Sequence, residues 1–145
     1  MDMTPKEYQT YVKAKAPKSP IVRDCLRAFL VGGLICTLGQ AIQNGWLAAS
    51  LSRDDAGAAT ACTLVLLSAV LTGLNVYNNI GRFGGAGSLI PITGFANAVV
   101  SPAIDFKAEG LITGMAAKMF TVAGPVIVFG SLASVVYGVV LMLLR

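Results

Sequence analysis

Long stretches without a charged residue are the strongest constraint on how this chain can fold. Four of them include residues 28–52, 56–79, 83–104 and 119–144, and the third is interrupted by glycine and proline. A helix of about 20 apolar residues crosses the roughly 30 Å hydrocarbon core of a bilayer. Hydrophobic residues make up 55% of the 145 residues and charged residues 12%, whereas a soluble domain carries about 25% charged residues. The sequence therefore predicts an integral membrane protein with one transmembrane domain, residues 28–145.

The same composition argues against several classes of site. The chain has no histidine and its seven acidic residues are scattered, so we expect no metal site, no cofactor and no histidine-based catalysis. Cys25, Cys36 and Cys62 form no CxxC pair, which argues against a disulfide framework. The net charge of +4 is not accompanied by interleaved basic and aromatic residues, so we expect no nucleic-acid partner.

Residues 1–27 form a polar lead-in that holds much of the positive charge. This placement is typical of a cytosolic or interfacial segment that sets membrane topology. The sequence near residue 4 is typical of a helix start. Thr4 would cap the helix, Pro5 would take its first position, and Glu7 would hydrogen-bond back to the cap. We expect a short interfacial helix that has Tyr8, Tyr11 and Val12 on one face and is ended by the prolines of residues 16–20. A disordered tail is the alternative.

Polar side chains recur at helical spacing in the first two predicted spans. In the second span the stripe runs along one face and continues into Arg82. Such stripes can line a pathway for a polar solute, or they can form hydrogen bonds between helices. Both interpretations stay open for the following residues: Gln40, Gln43, Ser68, Thr72, Asn75, Asn79, Arg82 and Asn97.

Residues 80–109 are too apolar for an ordinary loop and too rich in glycine and proline for an ordinary spanning helix. Irregular backbone at membrane depth is tolerated only where protein or a water-filled cavity satisfies its polar groups. We expect a re-entrant or broken helix here, interrupted near Pro91 and again at Ser101-Pro102; a complete but kinked span is the alternative. The residues expected to act as hinges or to permit close packing are Gly84, Gly85, Gly87, Pro91, Gly94 and Pro102.

Four charged residues lie at the end of the broken segment or just beyond it: Asp105, Lys107, Glu109 and Lys118. The two carboxylates have no nucleophile or histidine beside them, so we expect a neutralised cluster at a membrane face and not an enzyme. Lys118 is expected to extend to an interface, or to attract carboxylates if it faces a pore. A final helix over about 110–144 has Gly130, Ser134 and Gly138 on one face, a pattern suited to tight helix packing.

Together these elements predict an all-α membrane protein. It has about three full transmembrane helices, near 28–52, 56–79 and 110–144, with a broken segment over 80–109 and an interfacial helix before them. Three or four short helices cannot enclose a pore for a large solute, so we expect an oligomer, with itself or with a related chain.

Several blocks of this sequence resemble the SpoVA family of spore-forming bacteria. The polar lead-in, with Tyr8-Gln9 and residues 16–18, distinguishes the chain from the shorter AE-type members. The stretch 91–110 is the most specific part of the resemblance, which covers nearly the whole chain. The matching blocks are Ala28–Cys36, Gly39-Gln40, Gly87–Ala98, Ser101–Ala103 and Phe106–Gly110.

The resemblance implies a membrane subunit of a channel that moves dipicolinic acid, as calcium dipicolinate, across the spore inner membrane. Transport would run into the forespore during sporulation and out of the spore during germination. It also implies partners of the same family, an AE-type membrane subunit and an AD-type soluble subunit, and an opening that responds to membrane tension.

Overall fold

The computed structural model describes residues 4–15 and 20–144, and within these ranges it contains helices and no strand. Seven α-helices are joined by short turns, with a 3₁₀ turn at Lys107–Glu109 and a π-helical turn at Leu111–Ala116 before the last helix. The all-α prediction is confirmed. The helices are α1 Pro5–Lys15, α2 Ile21–Ala48, α3 Arg53–Gly73, α4 Tyr77–Gly84, α5 Ala86–Leu89, α6 Ile92–Asp105 and α7 Ala117–Leu144.

Helix α1 begins as its sequence predicts. The Thr4 amide donates to Glu7 Oε2 at 2.8 Å, and the Glu7 amide donates to Thr4 Oγ1 at 3.4 Å. This reciprocal pair satisfies backbone donors that a helix start leaves free. Tyr8, Tyr11 and Val12 are exposed. The predicted stop over residues 16–20 lies largely outside the described residues, as do the first three residues of the lead-in.

The capping pair predicts a pH response at α1. The Thr4 amide, and then its hydroxyl, donate to the Glu7 carboxylate and lower the pKa of Glu7 below its ordinary value of 4.5. The contribution to helix stability is therefore fully present above pH 4.5 and is lost as the pH falls through the lower folded-state pKa. Carbon-13 labelling of glutamate gives two carboxyl signals to titrate, Glu7 and Glu109. Thr4→Ala should raise the pKa of Glu7, and an unchanged value would contradict the cap.

Three helical segments are long and apolar enough to cross a membrane: α2 with 28 residues, α3 with 21, and Leu111–Leu144 with 34. At 1.5 Å per residue even α3 extends about 32 Å. The prediction of about three full spans is confirmed. Helix α2 starts before residue 28, since its first two turns carry Arg23, Asp24 and Arg27. These charges belong at the polar boundary of the bilayer.

Both of the first two long helices end in the same hydrogen-bonded turn. At the end of α2, Ser50 has φ 67° and the Leu51 amide donates to Trp46 O. At the end of α3, Asn75 has φ 58° and the Val76 amide donates to Leu71 O. This Schellman pattern satisfies the last carbonyl groups of a helix.

Helix α3 therefore ends at Gly73 and not at Asn79. The prediction that Ser68, Thr72, Asn75 and Asn79 share one continuous helix face is wrong. The reason is local: asparagine adopts the left-handed conformation more readily than most residues, and Asn75 in that conformation ends the helix. Asn79 lies on α4, after the turn.

The middle of the chain is broken into short helices, as predicted. Gly85, with φ 51°, separates α4 from α5, and Pro91 separates α5 from α6. Helix α4 is about 12 Å long and α6 about 21 Å, so neither alone crosses 30 Å of hydrocarbon. The second predicted break, at Ser101-Pro102, is wrong. Helix α6 runs through Pro102, and at the following turn the Phe106 amide still donates to Pro102 O.

The interior of the bundle consists of small and polar side chains. Helix α3 packs between α6 and α2, while α5 lies on α2 and α6 packs on α7. In contrast, α2 and α7 contain no buried residue in the described chain. Their large apolar side chains point outward, as the hydrocarbon of a bilayer requires. The fully buried residues at the centre are Ala56, Ser68 and Ser88, followed by Tyr77, Ala96 and Ala103.

The small-residue face of α7 is exposed in the part of the chain that the structure describes. A Cβ atom added at Gly130 or Gly138 would have no atom within 4 Å. The tight helix contact expected there stays a prediction about a partner subunit.

Candidate functional site

A polar network joins α3 to α6 in the middle of the bundle. The Ser68 hydroxyl donates to the carbonyl oxygen of Thr93, and Ser68 is 0% exposed. One turn later, Thr72 Oγ1 lies 2.7 Å from Ser68 O and 2.8 Å from Asn97 Oδ1. These bonds satisfy polar side chains that would otherwise be unpaired at membrane depth.

Tyr77 extends this network to the broken segment. Its hydroxyl hydrogen-bonds Ser88 O and Thr93 Oγ1, each at 2.8 Å, and the residue is 2% exposed. The Ser88 hydroxyl donates in turn to Gly85 O at 2.9 Å. Within the described residues, every buried side-chain nitrogen or oxygen has a hydrogen-bond partner. The network therefore anchors the turn between α5 and α6 to α3 and α4.

Glycines bring the backbone of the broken segment against its neighbours. A Cβ atom on Gly87 would lie 2.0 Å from Ala28 O, and one on Gly32 would lie 3.3 Å from Gly87 O. Gly84 lies against the side chain of Val31. Helix α5 thus touches α2 backbone to backbone, a contact that small residues permit between membrane helices.

Gly94 permits a similar close backbone contact within the broken segment. Its Cβ position would lie within 2.5 Å of the carbonyl groups of Ser88 and Leu89. Only glycine therefore allows α6 to fold back on α5 at the Pro91 turn.

Residues 24–140 match the SpoVAC/SpoVAEB sporulation membrane protein family. The chain belongs to this family. Stage V sporulation protein AC of Bacillus subtilis (strain 168) is 48% identical over 136 residues, which cover 93% of this chain and 91% of that protein. No solved structure matches. The resemblance drawn from the sequence blocks is confirmed.

Membership of the SpoVAC/SpoVAEB family makes this an integral membrane protein with a role in sporulation, and it supports association with other SpoVA proteins. The family is one of membrane proteins and is not a known enzyme family. Among the described residues, no group of three or more His, Cys, Asp or Glu side chains could hold a metal ion.

The eight residues predicted to line a pathway fall into two sets in this family member. Ser68, Thr72 and Asn97 meet in the interior network. The others lie at or near the surface, where Gln40 Nε2 donates to Asn44 Oδ1 at 3.0 Å. That second set is Gln40, Gln43, Asn75, Asn79 and Arg82.

The charged cluster at the end of α6 is open to its surroundings. Asp105, Lys107 and Glu109 are exposed, and no ion pair joins them: within 4–15 and 20–144 the only such pair is Arg23–Asp24, at 4.0 Å. Lys118 Nζ lies 4.0 Å from the centre of the Phe106 ring. This cation–π contact holds the base of α7 near the end of α6.

Three members of the network could not be found from sequence: Tyr77, Ser88 and Thr93. Tyr77 follows a helix end that hydropathy does not mark, and its partners lie 11 and 16 residues further along. No local periodicity connects such residues. The nearest sequence signal is the glycine-rich run, which indicates close backbone approach without naming the side chains involved.

Proposed function

We propose that this chain is a membrane subunit of a channel that moves dipicolinate, as its calcium chelate, across the spore inner membrane. It would act with an AE-type membrane subunit and an AD-type soluble subunit, during both sporulation and germination, and membrane tension would open it. Family membership supports this function. The relative from Bacillus subtilis bears a sporulation name, which agrees with it.

The broken segment is the observation that carries the proposal. Two short helices and a proline turn lie against the long helices α2 and α3, with polar groups between them. Discontinuous helices with satisfied backbone at membrane depth are the architecture in which membrane proteins place solute pathways. Helices too short to cross the bilayer leave backbone groups at their ends that must be satisfied at membrane depth, and a protein that only anchors others has no need of them.

The pathway would lie between subunits and not inside one chain. The interior of the bundle is occupied by Ser68, Thr72 and Asn97, whose polar atoms bind one another or backbone. The polar residues on the outer surface remain free to face a partner. Neutral dipoles there would offer hydrogen bonds to a carboxylate solute without trapping it.

We expect Gln40→Leu and Gln43→Leu to lower dipicolinate flux about tenfold, since each removes a hydrogen-bonding group worth about 1.4 kcal/mol to the passing anion. Flux is measured from proteoliposomes that hold the co-purified SpoVA membrane subunits. Thr121→Val is the matched control, because it also removes an exposed polar group but lies on α7. Unchanged flux with unchanged assembly would remove both residues from the pathway. Patch recordings of the same vesicles should show openings that increase with tension.

A non-conducting scaffold that docks soluble partners is the second candidate. The observation in its favour is α1, a capped helix whose described side chains are all exposed. On this alternative, deleting residues 1–27 abolishes binding of the soluble subunit. The Leu variants then leave the flux of the complex untouched.

A further inference from the structure

A cavity of about 440 Å³ lies where the start of α2 meets the junction of α4 and α5. Arg27 enters it from α2 and Arg82 from the last turn of α4. Asp24 is the one acidic residue in its lining. The contact of Gly87 with Ala28 fixes the two elements against each other, so the cavity is part of the packed bundle.

The cavity is electropositive. Asp24 also approaches Arg23, which is outside the lining, so two arginines face the cavity against one shared carboxylate. The guanidinium of Arg27 lies 4.9 Å from the centre of the Phe83 ring, which holds its planar group over the cavity wall. The amino end of α2 adds a positive helix dipole on the same side.

An apolar groove of about 520 Å³ continues from this cavity along the outer surface of the bundle. Phe83 lines both spaces. From Arg27 to Leu38 the helix rises about 16 Å, close to the thickness of one hydrocarbon leaflet. The only polar side chain in the groove is Asn79, and the rest of its lining is Val31, Leu34, Ile35, Leu38, Ile80 and Phe83.

We propose that the cavity and the groove together bind one anionic phospholipid. Its phosphate lies between Arg27 and Arg82, because guanidinium groups bind phosphate through paired hydrogen bonds. One acyl chain follows the groove toward Leu38. A free anion would leave the groove without its own occupant, and an uncharged lipid would leave two cations with only the carboxylate of Asp24, which Arg23 shares, as counter-charge. The site does not rest on the proposed channel function.

Retention of lipid by the full-length protein tests the site. After delipidation and incubation with equal phosphatidylglycerol and phosphatidylcholine, native mass spectrometry should show one retained phosphatidylglycerol. Arg27→Gln with Arg82→Gln should reduce that retention at least about tenfold. Arg53→Gln is the control for charge, since it removes a cation at the start of α3, beyond the far end of α2. Equal retention by the double variant and the control would overturn the proposal.

The groove is tested separately by Ile35→Trp, which fills it and leaves both arginines in place. Retention of phosphatidylglycerol should fall with it as well. Unchanged retention of phosphatidylglycerol by Ile35→Trp would mean that no acyl chain occupies the groove, and the phospholipid proposal would be wrong.

The labelling rate of Cys25 reports whether the cavity is occupied without any substitution of the two arginines. It lines the cavity and is a free, exposed thiol. In a chain carrying Cys36→Ala and Cys62→Ala, maleimide labelling of Cys25 should slow several-fold in phosphatidylglycerol nanodiscs relative to phosphatidylcholine nanodiscs. Equal labelling rates would count against an occupied cavity. Because Arg82 is also a pathway candidate, a double variant that loses lipid but keeps full flux would place Arg82 on the lipid side.

Discussion

Gly87→Ala is expected to separate α5 from α2 and to destabilise the bundle by about 3 kcal/mol. The added Cβ atom would lie 2.0 Å from Ala28 O and 2.7 Å from Ala28 Cα. Both are backbone atoms of a long helix, so no side-chain rotation can relieve the overlap. The two helices must move apart, and the small-residue contact between them is lost.

Unfolding of the purified protein in mild detergent, followed by circular dichroism against increasing SDS, measures this loss. Gly81→Ala is the matched control, since it also replaces a glycine of the α4–α5 region but meets no atom within 4 Å. It should be neutral or slightly stabilising, because alanine favours the helix by about 0.5–1 kcal/mol over glycine. Equal stability of the two variants would mean that α5 does not touch α2.

Tyr77→Ala is expected to cost about 4 kcal/mol, the largest effect of any single side-chain truncation in the network. The change leaves a cavity at a residue that is 2% exposed, and it removes the hydroxyl that binds Ser88 O and Thr93 Oγ1. The turn between α5 and α6 would lose its anchor to α4. Dipicolinate flux should fall together with stability if this turn belongs to the conducting unit.

Tyr77→Phe separates the two contributions. It keeps the ring and removes only the hydroxyl, so we expect a loss of about 1 kcal/mol in the same denaturation assay. Tyr137→Ala is the control for truncating a tyrosine, because Tyr137 is 65% exposed on α7. If Tyr137→Ala destabilises the isolated chain as much as Tyr77→Ala, the interior network is not what holds the broken segment.

The broken segment shows how far sequence reasoning reaches in this protein. Glycine and proline identify where a helix cannot continue, so the interruptions at Gly85 and Pro91 were predictable. The same rule failed at Pro102, where the helix continues through the proline. Proline removes one backbone donor, a loss that a helix start tolerates at Pro91 and that α6 accommodates in its interior at Pro102.

In the candidate site, too, some contacts could be predicted from the sequence and others could not. Spacing along one helix correctly indicates that Ser68 and Thr72 share a face, since they are four residues apart within α3. The predicted continuation to Asn75 fails because Asn75 adopts the left-handed conformation and the helix ends before it. Spacing also cannot show that Thr72 meets Asn97, because the two lie 25 residues apart on different helices.

The sequence by itself determined that this protein lies in a membrane and roughly where its three long helices run. Hydrophobicity and helix length are local properties, so they can be read in one window of the chain. Only the tertiary structure decided which polar groups pair and which glycines touch. Gly87 meets Ala28 across 59 positions, and such a contact depends on how every helix between them turns. A small residue permits close contact with another helix, but which helix it contacts depends on how the whole bundle packs.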